Sequence, residues 1–111
     1  MDVIERLRDA VLPVVAVCVP DLYDGDAVEY CTFTVDESPE DFGDNAPNQM
    51  RHLVQLHYYL PPAGEKDPRT TKRALCRAIF GAGFTYPEVT NASDETGQHF
   101  VFEFEDVDGD L

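Results

Sequence analysis

The chain has 111 residues, 43% of them hydrophobic, and a formal net charge of -14 from 22 acidic against 8 basic side chains. A chain of this length and apolar content buries one core without staples, so it is read as a single α+β domain spanning 1–111 rather than as a disordered acidic polymer. A surface this negative repels phosphate backbones and anionic lipid heads, which argues against direct nucleic-acid or membrane-surface binding and favours basic protein surfaces.

Residues 2–11 are expected to form a short helix. Val3, Ile4, Leu7 and Val11 follow i, i+3, i+4 spacing, Asp2 stands where a helix dipole favours an acid, and Pro13 ends the run. Val14–Val19 is a β-branched apolar run closed by Pro20, the pattern of a buried strand. The segment from Asp21 to Asp26 is turn chemistry centred on Asp24-Gly25. Residues 29–36 then alternate, with Tyr30, Thr32 and Thr34 on one side and Cys31, Phe33 and Val35 on the other. A half-buried strand hairpinned to the preceding one is expected. Residues 36–50, with Pro39, Gly43 and Pro47 and no period, read as a long acidic loop. Between Asp21 and Asp44 stand nine acids and no basic residue.

Residues 51–60 alternate again, with Val54, Leu56, Tyr58 and Leu60 facing the core and Leu53, Gln55, His57 and Tyr59 facing away. A helix over about 68–80 has Asp67 to cap it and Pro68 at its first position. Ala74, Leu75, Ala78 and Ile79 give its apolar stripe, flanked by Cys76 and Phe80, and Gly81 or Gly83 supplies the left-handed residue after it. Its other side carries Arg69, Lys72, Arg73 and Arg77, half of all the basic residues. Residues 86–90 form a weak edge strand, 91–97 a hairpin loop, and 98–105 a strand with Phe100, Phe102 and Phe104 on one face; 106–111 reads as a frayed acidic tail. The fold expected is an antiparallel or mixed sheet of about five strands with two helices packed on one face.

Candidate chemistry is sparse. Cys18, Cys31 and Cys76 are odd in number and widely spaced, which suits buried reduced thiols in an intracellular protein rather than a zinc site or a disulfide framework. His52, His57 and His99 fall on strands without metal-binding spacing, and a small enzyme would need His57, His99 and Glu103 to converge in a hollow. Asp106-Val107-Asp108-Gly109-Asp110 opens like a calcium loop but ends before the distal glutamate, as the Asp24–Asp26 stretch also fails to supply one. No catalysis, metal or cofactor is expected. The N-terminus has no basic and apolar leader, and no apolar run nears the ~20 residues of a membrane span. The polarity of charge points to an interaction surface made of the cations Arg69, Lys72, Arg73 and Arg77 and the acids Asp36, Glu37, Glu40, Asp41 and Asp44, within one copy or between neighbours in a head-to-tail contact.

Three stretches carry a resemblance. Leu53-Val54-Gln55-Leu56-His57-Tyr58-Tyr59 resembles the central strand of phage tail terminator and tail-completion proteins. The helix Thr71–Ile79 running into Gly81-Ala82-Gly83-Phe84 is similar to the helix and following Gly-Phe step of that family, and Gln98–Phe104 to its final strand. The resemblance implies a ring-forming subunit, commonly a hexamer, that caps a tail tube and joins it to the head through contacts with itself and other tail or head-completion proteins. It implies neither catalysis nor cofactor, and a location in the host cytoplasm and then the virion. The alternative reading is an acidic inhibitor or DNA mimic that occupies a basic groove, which requires carboxylates in one continuous surface at phosphate spacing.

Overall fold

In the computed structural model, residues 2–43, 46–61 and 67–106 are described, with backbone alone for 38–43 and 46–50. The elements run α1 (Val3–Val11), β1 (Cys18–Pro20), β2 (Tyr30–Gly43), β3 (Ala46–Leu60), α2 (Pro68–Gly81), β4 (Glu88–Asn91) and β5 (Gln98–Asp106). The five strands form one mixed sheet in the order β1-β2-β3-β5-β4, parallel at β1–β2 and antiparallel elsewhere. This is the α+β architecture that the alternating patterns imply.

Both helices start on aspartate caps. The Asp2 carboxylate accepts from Ile4 N at 2.7 Å, and Asp67 accepts from Arg69 N at 2.9 Å with Pro68 in the first turn. Gly83, at φ 100°, takes the left-handed position after α2. Strand register then sorts the side chains. Cys31, Phe33 and Val35 of β2 pair with Tyr58, Leu56 and Val54 of β3, which pair in turn with Phe100, Phe102 and Phe104 of β5. These residues share a core with Leu7 and Val11 of α1 and Leu75, Cys76 and Ile79 of α2, so both helices cover the same face. At the far end of that face Asp106 is buried and lies 2.8 Å from the Arg6 guanidinium, which stacks on the Phe84 ring.

Four expectations are corrected. Val14–Ala16 is turn and bend, because the Val11 carbonyl accepts from both Val14 N and Val15 N and winds the chain onward after α1; the strand shrinks to Cys18–Pro20. That strand is not hairpinned to β2 but runs parallel to it, Cys18 beside Cys31, because residues 21–29 carry the chain back to its start. Residues 36–43 and 46–50 are not loop: β2 and β3 stay paired from Asp36↔Leu53 out to Gly43↔Ala46. Asp44 lies outside the described residues. Beyond His52 this ribbon has no third strand beside it among the described residues, so it leaves the body of the sheet. Its prolines, Pro39 and Pro47, sit where β2 and β3 each have one neighbour, which leaves an edge free of ladder bonds. Finally, Asp106 belongs to β5 and is 3% exposed, held by Arg6 rather than frayed; residues 107–111 lie outside the description. Phe80, flanking the apolar stripe of α2, is exposed and meets Tyr86.

Register parity makes neighbouring positions of β5 unequal. Phe102→Ala removes a fully buried ring and is expected to lower stability by about 3–5 kcal/mol, whereas Glu103→Ala, one residue on and exposed, stays within about 0.5 kcal/mol. Urea denaturation of the two variants checks this; equal losses would contradict the register.

Candidate functional site

The face of the sheet opposite the helices has no layer over it among the described residues. Register places Tyr30, Thr32, Thr34 and Asp36 of β2 there, with Leu53, Gln55, His57 and Tyr59 of β3, His99, Val101, Glu103 and Glu105 of β5, and Glu88 and Thr90 of β4. This open face divides into an aromatic end and an acidic end.

At the aromatic end five rings form a continuous row. Centroid distances are 4.7 Å from Tyr23 to Tyr30, 4.8 Å from Tyr30 to Tyr59, 4.2 Å from Tyr59 to His99 and 5.0 Å from His99 to His57. Cross-strand neighbours stand at stacking distance by construction of the sheet, so Tyr30, Tyr59 and His99 are aligned by β2–β3–β5 pairing alone. Tyr23 joins from the 21–29 segment, which folds around it: its hydroxyl accepts from Ala27 N at 2.9 Å, and its ring fills the space a side chain on Gly25 would need. Beside the row lies a hollow of about 390 Å³ lined by Tyr30, Tyr59 and His99 with Val28, Asp94 and Thr96 among others. Leu22 and Val28, on the same segment as Tyr23, are strongly exposed.

His57 Nδ1 and His99 Nε2 are 2.8 Å apart, so one imidazole donates its proton to the other. Desolvation lowers both imidazole pKa values; for His99 the charge of His57 lowers it further, against Asp94, which raises it. The Thr96 hydroxyl and amide donate to Asp94 and hold its carboxyl below the usual range. Burial raises the Tyr59 phenol, with a Thr32 hydrogen bond opposing. The residues of this end are thus neutral rings beside one ionised carboxylate at pH 7.

At the acidic end Asp36, Glu88, Glu103 and Glu105 line a second hollow of about 520 Å³ with Leu53, Gln55 and Tyr86. Glu88 faces Glu103 directly across β4–β5, and Arg51 lies 3.3 Å from Glu105. The structure therefore brings His57 and His99 together but sets Glu103 in the other hollow. Among the described residues no group of three or more His, Cys, Asp or Glu is placed to hold a metal ion. His52 turns inward, 3.7 Å from Asp106 and 3.5 Å from Glu37.

The cationic row lies on the other side of the molecule. Arg69, Arg73 and Arg77 are exposed on α2, and Arg73 and Arg77 stand two residues from Leu75, about 200° round the helix from the side chain that faces the sheet. Arg69 is tied to the Asp67 cap at 3.0 Å, and the Lys72 ammonium sits 4.4 Å from the centre of the Phe100 ring. Neither Arg73 nor Arg77 forms an ion pair among the described residues, although the charge of Arg73 adds to that of Arg69 in lowering the Asp67 carboxyl. Side chains of Glu40 and Asp41 are not described, so the candidate acids reduce to Asp36 on the open face and Glu37 against His52.

Cys18 and Cys31 are adjacent, buried and free; burial pushes the Cys18 thiol up to about 11 and Cys31 further. Neither is poised as a nucleophile. The buried Tyr58 hydroxyl donates to Glu29 at 2.6 Å from the helix side of the sheet. No helix among the described residues is long and apolar enough to cross a membrane. A scan against models of known protein families matches none of them, and a search of curated proteins finds no match.

The imidazole pair sets a pH dependence with a definite sign. The unfolded chain takes up protons near ~6.5, while the folded pair resists until lower pH. In that interval the unfolded state holds more protons, so stability falls as pH drops from neutral through ~6.5 and levels off below the folded values. Denaturation midpoints across this range are expected to show the slope, and His57→Gln/His99→Gln to flatten it. His57 or His99 titrating above its ordinary value in an NMR titration would contradict the arrangement.

Proposed function

We propose that this chain is a non-catalytic structural subunit that works by assembly, forming a ring with copies of itself at a phage tail end or head–tail junction and contacting other tail or head-completion proteins. The observation that supports it most is the β2–β3 ribbon. β3 pairs with β5 from His52 onward and β2 pairs with β1 only at Cys31–Phe33, so from Ser38↔Arg51 to Gly43↔Ala46 two strands continue with no third strand beside them among the described residues. At about 3.3 Å per residue the ribbon reaches on the order of 20 Å beyond the sheet, and the molecule is 56 Å long against 24 and 23 Å across. A lone two-stranded ribbon is marginal in water. A protein that keeps one gains from it when the ribbon lies on a neighbouring surface.

The resemblance in the three stretches quoted above supports the same reading, as do the open sheet face and the exposed arginines, which are surfaces rather than enclosed sites. The acidic-mimic reading draws less support. The described carboxylates are spread over α1, the 21–29 segment and the sheet, and on the open face they are interrupted by Tyr30, Tyr59, His57 and His99.

Sedimentation velocity over a wide concentration range tests the proposal. The chain is expected to self-associate. A variant in which Ser38–Arg51 is replaced by Asn-Gly, joining the paired residues Glu37 and His52 through a tight turn, is expected to fold as a monomer. A wild-type chain that stays monomeric throughout, or a shortened chain that assembles to the same size, would count against it.

A further inference from the structure

We infer that Cys18 and Cys31 form a disulfide site: given a small dialkyl disulfide of the glutathione class, they close a cross-link between β1 and β2. The irregular segment 21–29 separates the two in the chain, and parallel pairing brings them together, with Cys18↔Cys31 as the first rung of the β1–β2 ladder. Register partners on neighbouring strands have their Cα atoms about 4.7–4.9 Å apart and their side chains on the same face. That separation lies within the ~4.4–6.8 Å that disulfides span between Cα atoms. Both thiols point into the core on the helix side, 1% and 0% exposed, and both are free. They are also close enough for charge on Cys18 to raise the Cys31 thiol.

Backbone hydrogen bonds hold the register on either side of the pair. Cys31 N donates to the Val17 carbonyl at 2.8 Å, and Asp21 N donates to the Phe33 carbonyl at 3.0 Å. Joining the sulfurs requires the Cβ atoms to draw in to about 3.5–4.5 Å. β1 can supply that movement, because it is a three-residue strand at the edge of the sheet. Cys76 sits on α2 beside Tyr86 and Lys72 and serves as an internal control.

The reaction balances with the two thiols and the small disulfide alone. One thiol loses its proton and attacks a sulfur of the small disulfide; a mixed disulfide forms and one small thiolate leaves. The second thiol loses its proton and attacks the protein-bound sulfur; the bond between Cys18 and Cys31 forms and the second small thiolate leaves. The two protons end on the departing thiols, so two cysteines are oxidised and one small disulfide is reduced. Cys18 attacks first. It lies on the edge strand, and burial pushes its thiol to about 11, less far than Cys31, with the charge of Arg8 opposing the rise. Since both thiols are buried, attack waits on β1 lifting from β2. Once closed, the bond ties both ends of the segment that carries the exposed Leu22 and Val28 and the Tyr23 ring at the end of the aromatic row. This inference is independent of the assembly reading above.

Thiol counting and peptide mass mapping test it, on native protein incubated with oxidised glutathione. Two of the three thiols are expected to disappear together, with Cys18 and Cys31 in one linked peptide pair, Cys76 still open to alkylation, and a single-chain band on a non-reducing denaturing gel. The oxidised protein is expected to melt at a higher temperature than the reduced one, because closing the loop restricts the unfolded chain. Cys18→Ser is expected to abolish the cross-link, and the wild-type mapping stands by itself if that variant does not fold. Thiols that stay free until the chain unfolds globally, a mixed disulfide that never closes, a link to Cys76 or between chains, or an oxidised form that melts lower would each overturn the inference.

Discussion

The parity of the β2–β3–β5 register governs everything else in this molecule. Cys31, Phe33, Leu56, Tyr58, Phe100 and Phe102 must all face the helices for Leu7, Val11, Leu75 and Ile79 to have a core to join. Side chains alternate with period two, so the same choice obliges Tyr30, His57, Tyr59 and His99 to face away together. The aromatic row is not assembled independently of the core; it is the other side of it. A slip of one residue in either pairing would bury the imidazoles and expose the phenylalanines, which makes the outer arrangement as strongly specified as the inner one.

Much of this was legible in the sequence. The alternation at 29–36, 51–60 and 98–105 marked three strands and assigned His57 and His99 to the outer side, and Asp67-Pro68 marked the start of α2. What alternation alone could not convey was which rows lie next to each other. The meeting of Tyr30, Tyr59 and His99 depends on pairings between strands up to about seventy residues apart in the chain, and Tyr23 arrives from an irregular segment that has no period at all. The ribbon at 38–50 escaped for the opposite reason. A strand is visible in a sequence when its residues alternate, and these do not; their prolines and acids read as loop although the backbone remains paired. The parallel course of β1 was hidden because a three-residue strand carries too little pattern to reveal direction.

Charge follows the same geometry. The acids and rings share the open face and the exposed arginines project from the covered one, so a single copy cannot neutralise its own polarity across the thickness of the sheet. Within the copy, cations are used locally: Arg6 holds Asp106 at the end of β5, Arg51 meets Glu105, and Arg69 closes on its own cap. These contacts fasten elements to one another. Among the described residues Arg73 and Arg77 form no such ion pair, and in the proposed assembly they and the ribbon are the parts of the chain left to meet a neighbouring copy.

The central claim is that these surfaces are completed by neighbouring copies, and amide hydrogen exchange on dilute and concentrated protein tests it most directly. The account predicts that the backbone amides of 38–43 and 46–50, together with the aromatic face, exchange rapidly when dilute and become protected on association, while the core strands at Leu56 and Phe102 are protected in both. Ribbon amides that exchange equally fast at every concentration would contradict it.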